Sequence, residues 1–237
     1  MICSHASAFG VSDLYEAYKC AIKASCYGNR VITEDADDTS ECKYPVSIVV
    51  YNPDNKDGIK DLRECCPYGD GYLNQYINDF LNGVSDNDER PMNFEYTYHE
   101  RLFEYECDDK TVNQIYEIVE KLSESHSSRR AVAVTWQAWN DITSRDPPCL
   151  NHIQFWIRDG RLNCATLWRS RDMLKGFPAN VLAVNALHIK VAQELNVKVG
   201  YYSDTTNIPH AYLPKDRGYL FNVNCKMNDI DLVRRNE

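Results

Sequence analysis

The chain has 237 residues, 43% of them hydrophobic and 26% charged, the makeup of an ordinary globular protein with enough length for a substantial core. A formal net charge of −9 argues against a nucleic-acid polymer or an anionic membrane surface as partner. No apolar run reaches the roughly 18 residues of a membrane span. The N-terminus lacks a positive segment followed by an apolar core, so no secretion signal is read and a cytoplasmic, thiol-reducing setting is expected.

Ser12 to Ile22 predicts an N-capped helix, with Leu14, Tyr18 and Ile22 at four-residue spacing. A turn at Gly28-Asn29 and an acidic loop from Glu34 to Asp38 lead to a β-branched strand, Tyr44 to Tyr51. Asn52 to Gly71 is polar and carries proline and glycine, so it reads as a surface connection. Tyr72 to Leu81 predicts a short helix stopped at Gly83, followed by an exposed charged loop over Val84 to Arg90. Asn93 to Tyr98 alternates and reads as extended. From Thr111 to Leu122, Val112, Ile115, Ile118, Val119 and Leu122 share one helical face. Ala131 to Trp136 reads as a buried strand, Val181 to Leu195 as a helix, and Lys198 to Ser203 and Tyr219 to Cys225 as two further strands. With no repeat, low-complexity tract or domain boundary, the expectation is a single α+β domain over 1–237.

The stretch from Ser144 to Asn180 carries the chemistry. Pro147-Pro148 fixes the backbone and removes two N–H donors, so a rigid turn delivers Cys149 to the start of a strand. His152 to Arg158 and Arg161 to Trp168 flank Asp159-Gly160, the dipeptide of a two-residue type I′ hairpin. That hairpin returns Arg169-Ser170-Arg171-Asp172 to the side of Cys149. A thiol beside a guanidinium suggests a nucleophile of lowered pKa. The other nine of the ten cysteines include no CxxC pair, so a structural zinc site is not expected and buried or incidental thiols are the reading.

These residues also carry a family resemblance. PPC, then Gln154-Phe155, then R-S-x-D at 169–172, G-x-P-x-N at 176–180, the S-R-R lead-in at Ser128-Arg129-Arg130 and H-x-Y at His210 and Tyr212 together resemble thymidylate synthase, most closely its short, archaeal-type branch. The resemblance implies a large twisted mixed sheet flanked by helices and paired sheet-to-sheet in a homodimer. It implies that Cys149 adds to C6 of a pyrimidine nucleoside monophosphate and that Arg169 and Ser170 hold the phosphate. Arg129 and Arg130 would reach the same phosphate from the neighbouring subunit. Asn180 would read the O4 and N3–H edge of uracil, where cytosine-specific relatives tend to carry Asp. His210 and Tyr212 would bind the sugar hydroxyl. Asp172 would meet a reduced pterin, and Tyr98 is the active-site tyrosine, with Tyr96 competing. The carbon donor implied is 5,10-methylenetetrahydrofolate or a methanopterin-like methylene carrier, with no metal.

Departures from the family pattern bear on the reaction. The family's catalytic glutamate lies in an E-L-L-W-F-L-R-G helix, whereas the segment here runs Tyr76-Ile77-Asn78-Asp79-Phe80-Leu81-Asn82-Gly83, with Asp79 as the nearest carboxylate. Trp168 stands where the family has glutamine before R-S, Leu150 stands in place of histidine after the cysteine, and Arg30 is a loose match for an N-terminal phosphate arginine. Conversion of dUMP to dTMP is the leading reading. A 5-hydroxymethylase acting on dUMP, dCMP or CMP and a non-catalytic nucleotide-binding homologue are the alternatives.

Overall fold

A computed structural model describes residues 7–27, 30–33, 39–84, 96–213 and 215–227. The N-terminal part forms β1 (Ser7–Val11), α1 (Leu14–Ile22) with a π-helical continuation over Lys23–Tyr27, β2 (Arg30–Thr33), β3 (Thr39–Cys42), β4 (Val46–Val50), α2 (Lys56–Cys65) and α3 (Asp70–Asn82). The middle holds α4 (Tyr98–Phe103), a small hairpin of β5 (Tyr105–Cys107) and β6 (Lys110–Val112), α5 (Gln114–Glu124), β7 (Ala131–Val134) and α6 (Ala138–Asp141). The remainder is β8 (Leu150–Arg158), β9 (Arg161–Asp172), α7 (Gly176–Glu194), β10 (Lys198–Ala211) and α8 (Arg217–Met227).

Eight strands make one mixed sheet in the order β1-β4-β10-β9-β8-β7, with β3 joining the end of β10 and β2 beside β3. The β1/β4 and β9/β10 pairs are parallel and the others antiparallel. Helices flank this sheet, so the α+β class and the large mixed sheet are as expected. Asp159 and Gly160 hold φ of 53° and 68°, the left-handed pair a type I′ turn requires. The turn sets Arg158 opposite Arg161 and so carries the end of β9 back beside the start of β8.

Strand alternation divides the sheet into two faces. Ala131, Phe155, Cys164, Tyr202 and Val50 lie in one cross-strand row, buried among the core residues of α1 and α7. On the opposite face, Val132-Gln154-Ala165-Ser203-Val49 and Val134-His152-Leu167-Thr205-Ser47 form two rows of half-buried or exposed side chains. Val132 and Val134 remain 43% and 40% exposed, so the strand read as buried is buried on one side alone.

Several elements differ from expectation. Asn52 to Gly71 contains α2, capped by Asn55, whose side chain accepts the Asp57 N–H at 3.1 Å. Gly58, which reads as a loop marker, lies inside that helix because a Cβ there would come within 2.7 Å of Asp13. Tyr219 to Cys225 falls within α8, where Leu220, Val223 and Met227 are buried at helical spacing. Short apolar runs fit either period, and here the helical one prevails. Val112 sits in β6 and is exposed, so it leaves the face formed by Ile115, Ile118 and Leu122 in α5. Tyr98 starts a helix instead of ending an extended segment, while 93–95 and 85–90 lie outside the described residues, as do Gly28-Asn29 and 34–38.

Among the described residues, no helix is long and apolar enough to cross a membrane and no group of three or more His, Cys, Asp or Glu could hold a metal ion. Cys20, Cys26, Cys42, Cys65, Cys66, Cys107, Cys149 and Cys164 are free thiols.

Candidate functional site

The Pro147-Pro148-Cys149 turn is clamped by the arginine that the hairpin brings to it. Arg169 donates from Nε to the Pro148 carbonyl at 3.0 Å and from a terminal nitrogen to the Pro147 carbonyl at 2.6 Å. Its backbone N–H donates to the Cys149 carbonyl at 2.8 Å. A bulge at Asn151, between the Leu150–Trp168 and His152–Leu167 pairs, re-aims the strand just after the cysteine. Burial pushes the Cys149 thiol up, and Arg169 pulls the other way without reversing it. The expected lowering is therefore not found. Two of the guanidinium donors are taken by carbonyls, and desolvation of the thiolate outweighs the charge that remains.

Tyrosines surround the sulfur. Cys149 is, after burial, the leading influence raising the Tyr96 phenol, and it also acts on Tyr98, Tyr76 and Tyr212. Tyr98 accepts the Leu150 N–H at 3.3 Å and hydrogen-bonds with Tyr96. Its position follows from α4. Thr97 and Glu100 form a capping box, each side chain bonded to the other's backbone N–H at 3.1 and 2.7 Å. Arg101 then ties the helix to α6 through Asp141 at 2.8 and 3.1 Å, with both side chains buried.

Asn180 is not a helix cap. Helix α7 begins at Gly176, with Pro178 in its first turn, where the missing N–H leaves no broken bond. The Asn180 side chain turns inward and its Nδ2 donates to the Tyr76 hydroxyl at 2.6 Å. Tyr76 was not singled out by the sequence, although counting seven back from Gly83 sets it in register with the family's glutamate. Asp79 points elsewhere and accepts from Gln75 at 2.7 Å in an exposed pair on α3.

At the neighbouring strand ends, Ser170 Oγ and His210 Nδ1 lie 3.2 Å apart, and the His210 and Tyr212 rings meet edge-on at 5.2 Å. Asp172 pairs with His210 in the β9–β10 register. One Asp172 oxygen accepts the Leu174 and Lys175 N–H groups at 2.9 and 3.0 Å, and the other makes no hydrogen bond among the described residues. Burial pushes this carboxyl up, against the pull of those two N–H groups. A salt bridge to Arg171 is excluded. Arg171 is buried between Trp168 and Phe177, 4.4 and 4.5 Å from their rings, and is ion-paired with Asp204. Trp168 fits this network, since its indole N–H donates to Thr166 Oγ1 and Asp204, each at 3.1 Å.

Arg129 and Arg130 stand apart. They are exposed at the beginning of β7, whose register sets Ala131 opposite Phe155 and Val134 opposite His152. Cys149 precedes the far end of β8, so the two arginines lie roughly 20 Å from it at about 3.3 Å per residue. The structure thus gathers Cys149, Tyr98, Arg169, Ser170, Asp172, Asn180, His210 and Tyr212 at one end of the sheet and leaves Arg129 and Arg130 outside it. The Arg30 side chain lies outside the described residues.

Comparison with known proteins bears on the same segments. The family described as "Thymidylate synthase" matches residues 58–232. A protein of Methanocaldococcus jannaschii named "Putative thymidylate synthase" is 35% identical over 198 residues, 81% of this chain and 84% of that protein. Proteins of the same name from Methanosarcina acetivorans and Methanosarcina mazei are each 31% identical over 183 residues, 77% of this chain and 79% of theirs. With the mixed sheet, the cysteine on its double-proline turn and a match over most of its length, this chain belongs to the thymidylate synthase family.

Proposed function

We propose that the chain, acting as one domain over 1–237, transfers a one-carbon unit to C5 of a uracil nucleotide, converting dUMP to dTMP, with Cys149 as the nucleophile. The observation that carries this reading is the convergence of Cys149, Asn180 and the Ser170–His210 pair at one sheet end. C5 of a pyrimidine is a poor nucleophile until a group adds to C6. The Cys149 sulfur forms that bond as a thiolate, and the C5=C6 pair shifts toward the C4 carbonyl. Arg169 keeps three of its five N–H donors after binding the two proline carbonyls, enough to meet phosphate oxygens beside Ser170. The Asn180 amide, with one N–H given to Tyr76, retains an acceptor and a donor, which match N3–H and O4 of uracil. His210 and Tyr212 take the sugar hydroxyl, and Tyr98 with Tyr96 walls the sulfur.

The half-free Asp172 carboxylate fits a reduced pterin, whose ring N–H groups need an acceptor. When bound, a methylene-tetrahydropterin, whether a folate or a methanopterin-like carrier, supplies both the carbon and the hydride. The open sheet face supports a homodimer in which Arg129 and Arg130 of the partner subunit reach the phosphate, since they are too distant from Cys149 within one chain. Product analysis after incubation with dUMP and a methylene carrier tests the reading. A methyl-sized mass gain that Cys149→Ala abolishes is the expected result, and a nucleotide left unchanged contradicts it.

A further inference from the structure

We infer that the Tyr76 hydroxyl is a catalytic hydrogen-bond donor to the pyrimidine carbonyl oxygen that becomes negative when Cys149 adds to C6, an inference that rests on the reading of the site just given. Tyr76 lies on the inner side of α3, on the same helical stripe as the buried Leu73 and Phe80. It is half-buried, and its hydroxyl is turned to Asn180. The Tyr72 ring stacks on it at 6.2 Å, and Tyr68 stacks on Tyr72 at 4.4 Å, so the phenol is held from behind by a ladder of rings.

The hydrogen bonding leaves the phenol with one thing to give. Asn180 Nδ2 donates to its oxygen at 2.6 Å, and among the described residues the phenol's own proton has no acceptor. The O–H therefore stands beside the amide that reads the carbonyl edge of the base, with Cys149 close enough to act on it. Burial and the neighbouring Tyr72 hold the phenol well above its ordinary pKa, so it stays protonated through the neutral range and serves as a donor and not as a base.

The electron count shows what that donor does. As the S–C6 bond forms, the C5=C6 pair moves to C4–C5 and the C4=O4 π pair moves onto O4, giving an enolate. A neutral O–H prepositioned at O4 is worth more to that enolate than to the neutral ground-state carbonyl, because a hydrogen bond strengthens as its acceptor gains negative charge. The bond from Asn180 polarises the phenol in the same sense. A phenol thus stands where the family pattern has a carboxyl, and it offers a proton at O4 with no need of a raised carboxyl pKa.

The test is exchange of the C5 hydrogen of dUMP for deuterium in heavy water without any carrier. In that cycle sulfur adds, a deuteron enters at C5, the proton leaves and the thiolate departs, with no net redox change. Tyr76→Phe keeps the ring stack and removes only the hydroxyl. The expected result is exchange and kcat slowed on the order of a hundredfold, with the dUMP Kd changed by less than about threefold. Tyr76→Glu, which carries an acidic O–H only when protonated, is expected to exchange faster than Tyr76→Phe at the same pH, by a ratio that grows as pH falls. Exchange by Tyr76→Phe within about threefold of the unaltered protein, or a loss that follows entirely from weaker dUMP binding, overturns the inference. If the unaltered protein catalyses no exchange although it binds dUMP, the reading of Cys149 fails, and this inference with it.

Discussion

At Cys149 two opposing effects meet in one side chain. Burial disfavours the thiolate while the Arg169 guanidinium favours it, and burial prevails. The sign has a consequence for pH. A thiol raised above its ordinary value is mostly protonated near neutrality, and its reactive fraction grows with pH. Alkylation of Cys149 by iodoacetamide, followed by peptide mass analysis, is expected to be slow at pH 7 and to accelerate about tenfold per pH unit with no plateau below pH 9. A rate already flat near neutrality would mean that the guanidinium wins after all. The motif residues around this cysteine were legible in the sequence because their arrangement is local. A turn, a two-residue hairpin and a strand end bring Cys149 and Arg169 together whatever the rest of the chain does. Tyr76 is not legible from the residues of α3 alone, because its partner Asn180 is 104 positions away and the register to Gly83 marks a position and not the contact made there.

Among the elements, β9, β10 and α7 position most of the site, and what holds them in register is a buried polar network. Asp204 on β10 accepts from Arg171, Trp168, Tyr202 and Thr166, and Arg171 also donates to Thr206 Oγ1 at 2.8 Å. Arg171 immediately follows Ser170 and precedes Asp172, so this pairing fixes the strand end from beneath. Asp204→Ala leaves a buried guanidinium without its counter-charge, and a loss of about 3–5 kcal/mol in urea-induced unfolding is expected. A loss below about 1 kcal/mol would mean that the network contributes little beyond its packing. The long helices and the hairpin follow from their periodicity and turn chemistry. Helices α2 and α8 were misread for a physical reason. Gly58 signals a loop in the sequence but serves close contact with Asp13, and the apolar residues of α8 are too few to separate one period from another.

Across the whole molecule, the face of the sheet turned away from α7 carries Val132, Val134 and Tyr201 with more than a third of each side chain exposed. In the proposed dimer this face is covered, and Arg129 and Arg130 enter the site of the partner subunit. A mixture of Cys149→Ala chains with chains carrying Arg129→Ala and Arg130→Ala is then expected to regain activity that neither preparation has alone. A mixed dimer holds one site with an intact cysteine and intact arginines. A mixture as inactive as its components would mean that the arginines do not act across the subunit boundary, and an Arg129→Ala, Arg130→Ala chain fully active alone would place both outside the site. The fold class and the sheet end that gathers the site residues could be read from one chain's sequence. How two chains share that site could not, since strand alternation shows which residues a face presents and not what covers it.

The most direct test of the account is the mass of the nucleotide after the purified protein is mixed with dUMP and, in parallel, with a methylene-tetrahydrofolate or a methanopterin-type methylene carrier, with dCMP and Cys149→Ala as controls. The account predicts a methyl-sized gain on dUMP with one of the two carriers, none on dCMP and none from the variant. A gain that persists without the Cys149 thiol, or no gain on dUMP with either carrier, would contradict it.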